Sequence, residues 1–271
     1  MLSTERGWTD WRSKCRRLLR RGTLRAGQEQ PWLLNGFLMA VEFLTILPVR
    51  ARPGPLVAAA GYFPLVGALI GLASVAFWNL ASPWMPVNLL ALLLLLLWTV
   101  LNGGLHDDGL ADCFDAFPAG RDREEILRIL RDSRIGAFGA LSLVFSLLLR
   151  WQSLVSIRAD YLPGILIASQ VLPRLGMIWL AFASGGASPG MGSSFADALR
   201  PRHYWGASAA AIAVLIPLAG WPALWAAAVC AAVIALLRPY FRHKLGGITG
   251  DCLGAANQLQ EAAILMLGAI L

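Results

Sequence analysis

The sequence predicts an all-α, polytopic membrane bundle of about six to eight spanning helices, and three observations carry that prediction. The 271-residue chain is 57% hydrophobic and 14% charged, against about 25% charged residues in an ordinary soluble domain. Its mean hydropathy is +0.61. Its apolar runs reach or approach the roughly 20 residues that a membrane helix needs, and no soluble domain or internal repeat fits between them.

Residues 1–30 form a basic segment holding eight of the 23 lysines and arginines. Beside a membrane body this reads as a cytoplasmic juxtamembrane stretch held near anionic lipid, rather than a nucleic-acid arm. It lacks the apolar core and small-residue cleavage site of a signal peptide. Residues 31–271 then make a single membrane-embedded domain. Within it, LLNGFLMAVEFLTILPV (33–49) is short and interrupted by Glu42, so it is expected to be interfacial or re-entrant. Residues 56–80 are long enough to span, and Gly67 and Gly71 give the GxxxG spacing that permits close helix packing. After the uncharged turn ASPWMP, residues 86–105 return across the membrane. Residues 136–157 and 161–183 predict a second hairpin, and 206–220 and 221–237 a third. A polar tail, 238–261, precedes an apolar end at 262–271.

Charge tests this path. If the basic segment is inside and 33–49 does not cross, the inside loops are 105–135, 184–205 and 238–253. They hold Arg121, Arg123, Arg128, Arg131, Arg134, Arg200, Arg202, Arg238, Arg242 and Lys244. The turns at 81–87 and 219–222 hold no charge, and that at 158–161 holds Arg158 and Asp160. The positive-inside bias is met, and every motif-like stretch falls on the cytoplasmic face. The four cysteines form no CxxC pair, so packing or surface thiols account for them and no disulfide or zinc site is expected.

The chemistry gathers in LNGGLHDDGLADCFDAF (101–117), which follows an oily run. Eight of the 16 acidic residues lie between Asp107 and Asp132. Asp108, Asp112 and Asp115 stand at i, i+4 and i+7, one face of a helix. Three carboxylates there repel one another unless a cation sits among them. Mg²⁺ takes carboxylate oxygens and shares substrate phosphates, so these three are the candidate metal ligands, with His106 and Asp107 at the edge of the face. Downstream, RDSRIGAFGA (131–140) offers Arg131 and Arg134, whose guanidinium groups suit phosphate. GGITGD (246–251) is a Gly-rich loop carrying Thr249 and Asp251, without the GK[ST] of a Walker motif. Two arginines fall inside expected spans. Arg150 is expected to snorkel to the outer boundary, and Arg174, deeper, to face an anion or a carboxylate such as Glu42.

GGLHDDGLADCFDAF, RDSRIGAFG and GGITGDCLGA, in that order, resemble the adenosylcobinamide-GDP ribazoletransferase family, also called cobalamin-5′-phosphate synthase. FLTILPV and GYFPLVGALIG match the family's opening, and the resemblance runs from about residue 38 to 261. Asp107, Ile46 and Gln258 depart from its usual apolar, basic and glutamate positions.

The resemblance implies transfer of α-ribazole 5′-phosphate (or α-ribazole) onto adenosylcobinamide-GDP, with release of GMP. It implies an active site facing the cytoplasm, in a bacterial inner membrane. Its acidic signature falls on Asp108, Asp112 and Asp115, with His106 before them. The basic signature falls on Arg131, Asp132 and Arg134, and the glycine-rich one on Gly246, Gly247, Thr249, Gly250 and Asp251. On this reading Asp108, Asp112 and His106 are catalytic. Arg131, Arg134, Arg174, Gly247, Thr249 and Asp251 bind substrate, and Mg²⁺ is the cofactor. The lipid bilayer is the surrounding partner, nucleic acid is not one, and a homo-oligomer is compatible. Two other enzyme classes put Mg²⁺-binding aspartates at a membrane boundary. A CDP-alcohol phosphotransferase would need an Arg that DGLADCFD lacks, and a prenyltransferase is the other. A cation transporter would need acids inside the spans.

Overall fold

A computed structural model of the chain describes residues 32–120 and 122–271. The basic segment 1–30, with Cys15, lies outside the described residues, as does Arg121. The described chain is an all-α bundle. α1 (Trp32–Leu44) is followed by a 3-10 turn (Leu56–Tyr62), α2 (Phe63–Ala81), α3 (Val87–Leu101), α4 (Leu105–Ala119) and the short α5 (Arg123–Ile129). Then come α6 (Ala137–Ser156), α7 (Leu162–Ser184), α8 (Met191–Ala198), α9 (Pro201–Ala219), α10 (Pro222–Leu245) and α11 (Gly250–Ile270). Prolines open α2, α7, α9 and α10 at their first turns, where the missing N–H breaks no helical bond.

Among the described residues, four segments are long and apolar enough to cross a membrane: Leu56–Ala81, Ala137–Ser156, Leu162–Ser184 and Pro222–Leu245. The pair α3 and α4 makes a fifth if taken as one span broken by an 89° bend. The chain is thus an integral membrane helical bundle, with fewer strongly apolar spans than the expected six to eight. The expected span 206–220 lies in α9, which is not among the strongly apolar ones, and α11, 21 residues long, buries Asn257, Gln258, Gln260 and Glu261 among its apolar residues. Hydropathy alone placed the tail 238–261 in water. Instead α10 runs on to Leu245, and α11 begins at Gly250.

α7 is the axis of the bundle and is almost wholly buried; α2, α9, α10 and α11 all pack on it. The α2 contact uses the predicted small-residue stripe. A Cβ on Gly67 would stand 2.9 Å from the Val171 Cα, and one on Gly71 would stand 2.8 Å from the Ile167 Cα. α11 lies against α4, α6, α7 and α10.

Charged and polar side chains fill the middle of this core. Arg150 (α6) donates to Glu261 (α11) at 2.9 Å and to Asp107 (α4) at 3.1 Å. Gln170 (α7) donates to the other Glu261 oxygen at 3.1 Å. Arg174 donates to the Gln170 carbonyl at 2.7 Å, to its side chain at 3.1 Å and to Asn102 at 3.0 Å. Two expectations are therefore corrected. Arg150 does not snorkel outward, because two carboxylates satisfy it inside. Arg174 does not meet Glu42, whose carboxylate accepts from the Ala51 N–H at 3.3 Å.

Candidate active site

The site starts from a bend. Gly103 and Gly104 have φ of 60° and 67°, a left-handed conformation that residues with a Cβ rarely adopt. Two such residues in succession end α3 and turn α4 away from it. Asn102, at the end of α3, is held by Arg174 as described. α4 then crosses α11 backbone to backbone. A Cβ on Gly109 would lie 2.8 Å from the Asp251 carbonyl oxygen and 3.1 Å from the Gly254 Cα. That approach sets the α4 aspartates beside the N-terminus of α11.

A cavity of about 500 Å³ opens there. It joins the three predicted stretches: His106, Asp108 and Asp112 from α4, Arg131 from the loop after α5, and Thr249, Gly250 and Asp251 from the Gly-rich loop. Thr249 is the N-cap of α11, its hydroxyl accepting from the Cys252 N–H at 3.4 Å and donating to Asp251 at 3.3 Å. His106 is 1% exposed, and neither of its ring nitrogens has a hydrogen-bond partner. Apolar and aromatic residues make the other wall. Phe43, Phe63 and Phe195, all lining the cavity, form a continuous stack with centroid separations of 5.8 and 5.6 Å.

Four predicted residues stand elsewhere. The Asp115 carboxylate turns to α6, accepting from the Gly136 and Gly139 N–H groups at 2.6 and 2.7 Å. The glycines of RIGAFG make this possible, since a Cβ on either would lie 2.9 Å from the Asp115 Cγ. Arg134 closes on Asp132 at 2.7 Å in an exposed pair. Its hydrogen bond holds the Asp132 carboxyl at about 2, down from 3.8. Arg174 is buried in the polar core. Gly247 is a packing position, where a Cβ would lie 2.7 Å from the Gly186 backbone. Among the described residues, no three Asp, Glu, His or Cys side chains converge in a metal-holding group.

Sequence reading missed the segment 188–195. Ser188, Pro189, Gly190, Met191, Gly192, Ser193 and Phe195 line the cavity. The preceding loop pairs with the Gly-rich loop as a short parallel bridge: Ala187 donates to Ile248 at 2.9 Å, and Ile248 to Gly185 at 3.0 Å. Ser193 adds a bond to the Ile248 carbonyl at 3.0 Å. Arg123 ties both sides, donating to the Leu245 carbonyl at 2.8 Å and to that of Ala187. The signal available in the sequence was the cluster of small residues in SPGMGSS.

A family model described as cobalamin-5-phosphate synthase matches residues 36–269. The chain belongs to the cobalamin-5-phosphate synthase family. It is 37% identical over 254 residues to an adenosylcobinamide-GDP ribazoletransferase of Shewanella baltica, covering 87% of this chain and 95% of that protein. A Ralstonia nicotianae protein of the same name is 38% identical, with 84% and 92% covered. One from Geotalea daltonii is 34% identical, with 86% and 96% covered. No solved structure matches. The family match sets aside the phosphotransferase, prenyltransferase and transporter readings.

Proposed function

We propose that the chain joins α-ribazole 5′-phosphate, or α-ribazole, to adenosylcobinamide-GDP in this cavity and releases GMP. The observation that supports the reading best is the meeting of His106, Asp108, Asp112, Arg131 and Asp251 in one cavity, in a chain that belongs to this family.

In the reaction, a ribose hydroxyl oxygen attacks the cobinamide-linked phosphorus of the diphosphate. The new P–O bond forms as the bond to the bridging oxygen breaks. GMP leaves with that electron pair, and negative charge grows on the leaving oxygen. Arg131 faces this charge as a guanidinium cation. The hydroxyl proton passes to a base on the cavity wall, a carboxylate of Asp108 or Asp112 or the imidazole of His106. The Phe43–Phe63–Phe195 wall gives the cavity an apolar side against which flat, uncharged parts of the substrates rest.

The donor set fits a hard divalent cation in part. Asp108 and Asp112 lie one turn apart on α4, and Asp251 faces the same cavity. Their carboxylate oxygens are of the type Mg²⁺ takes, but the three do not converge as a ready metal-holding group, so an ion there would need substrate phosphate oxygens to complete its shell. Mg²⁺ held there would neutralise diphosphate charge. The arginine-rich loops support a cytoplasmic face for the cavity, in a bacterial inner membrane.

The test is turnover in proteoliposomes supplied with both substrates, with GMP and the cobamide product measured together. Asp108→Ala and Asp112→Ala are expected to abolish GMP release without lowering the thermal midpoint. Excess chelator is expected to do the same reversibly. Unchanged turnover in either variant would sink the assignment.

A further inference from the structure

The hydrogen bonds of the polar core are joined end to end. Asn102 accepts from Arg174, Arg174 donates to Gln170, and Gln170 donates to Glu261. Glu261 accepts from Arg150, and Arg150 donates to Asp107. The side chains come from the end of α3 and from α7, α11, α6 and α4. This chain of bonds leaves the backbone at Asn102 and returns to it at Asp107, so its two ends straddle the Gly103–Gly104 bend. The bend has little packing of its own. Among the described residues, a Cβ on Gly104 would meet nothing within 4 Å, and one on Gly103 would meet the Ile46 side chain.

Charged groups inside an apolar bundle are costly and point to a role besides cohesion, since packed apolar side chains hold helices together at lower cost. Directional bonds do what apolar contacts do not: they fix the rotation of a helix. Asp107 stands between His106 and Asp108, which line the cavity. Successive side chains on a helix are turned by about 100°. Holding the Asp107 carboxylate on Arg150 therefore sets the directions in which its two neighbours leave α4, and Asp112 follows one turn on. Holding Asn102 on Arg174 sets where α4 starts. The Gly109 crossing fixes the distance to α11, and the bonded chain fixes the rotation.

We propose that Asn102, Arg174, Gln170, Glu261, Arg150 and Asp107 form a positioning ring that clamps both sides of the α3–α4 bend and aims Asp108 and Asp112 into the cavity. The inference rests on the functional reading above and deepens it. Among the described residues that line the cavity, none belongs to the ring, so the ring acts on the reaction through α4.

Asn102→Leu and Asp107→Leu each remove one end of the ring at nearly constant volume, while Asp107→Asn keeps an acceptor oxygen for Arg150. Ser74→Ala is the control. It deletes a buried hydrogen bond outside the ring, the one that the Trp98 indole N–H donates at 2.7 Å. The first readout is amide hydrogen exchange of the purified, detergent-embedded protein without substrate. Exchange across 101–112 is expected to quicken about tenfold or more in both leucine variants, and to stay at the wild-type rate in Asp107→Asn and Ser74→Ala. Wild-type exchange in a folded leucine variant overturns the ring, whatever reaction the protein catalyses. Asp107 is the partly exposed end, so Asp107→Leu decides the matter even where Asn102→Leu does not fold.

The second readout is kinetic, in proteoliposomes held below every variant's thermal midpoint. In the leucine variants kcat is expected to fall about tenfold or more, with the KM for both substrates within about twofold of wild type. Asp107→Asn is expected to recover kcat. Ser74→Ala is expected to lower the thermal midpoint and leave kcat unchanged, which separates positioning from cohesion. Wild-type kcat in a leucine variant, no recovery in Asp107→Asn, or a matching loss of kcat in Ser74→Ala overturns the positioning role. Absence of turnover in the wild type alone would count against the functional reading and leave the exchange result standing.

Discussion

Replacing Arg150 by Met removes a cation from the middle of the bundle and leaves two carboxylates behind. Glu261 is 1% exposed and, among the described residues, keeps the Gln170 amide at 3.1 Å as its hydrogen-bond donor, with the Arg174 cation acting on it through space. The Asp107 side chain is 17% exposed and stays partly solvated. Most of the cost therefore falls on Glu261. Breaking a buried pair by removing one partner costs about 3–5 kcal/mol, because the remaining charge is uncompensated. Removing both charges is far cheaper, so Glu261→Gln added to Arg150→Met should recover most of the loss. The glutamine carbonyl can still accept from Gln170. A double-mutant cycle on thermal or denaturant unfolding in detergent should then show a coupling of roughly 2–3 kcal/mol. A loss below about 1 kcal/mol for Arg150→Met, or no recovery in the double variant, would refute the view that this ion pair holds α6 to α11.

Asp115→Asn should weaken the N-terminus of α6 by about 1 kcal/mol, read as a lower thermal midpoint, with the Mg²⁺ concentration for half-maximal activity unchanged. A tenfold shift in that concentration would return Asp115 to the metal set. Gly109→Val should separate α4 from α11, since its Cβ meets the Asp251 carbonyl oxygen at 2.8 Å; loss of turnover with helical content retained is the expected result, and full activity would refute it. Asp132 should titrate near 2 by carboxyl NMR and return towards 3.8 in Arg134→Ala. Because the folded value is the lower one, the pair's contribution to stability is present above about 3.8 and fades as pH falls through about 2. A midpoint that ignores Arg134→Ala would show that the pair does not form.

Much of the site was legible because its chemistry sits in residues that are costly in or beside lipid. His106, Asp108, Asp112, Arg131, Thr249 and Asp251 were named from sequence and line one cavity. The small-residue stripe at Gly67 and Gly71 also packs as its spacing implied. Errors arose where polarity was equated with water. Asn257, Gln258, Gln260 and Glu261 read as tail but are buried in α11. Arg150 read as boundary-seeking because its partners, Asp107 and Glu261, are remote in the chain. Asp115 shares the helical period of Asp108 and Asp112, yet its acceptor role depends on Gly136 and Gly139, which periodicity within α4 cannot report. Segment 188–195 carries no charge to draw attention, and its side-chain parts, the Ser193 bond to Ile248 and the Phe195 ring in the wall, depend on partners remote in the chain.

The bridge between Gly186 and Ile248 constrains how such a chain can change over generations. An inserted or deleted residue in either loop shifts the pairing register and carries Arg123's two carbonyl acceptors, Ala187 and Leu245, out of step. The loops are distant in sequence but behave as one heritable unit, so their lengths should drift together among relatives. Grafting one loop from another member without its companion would import a mismatch, whereas a paired graft would bring its own register with it.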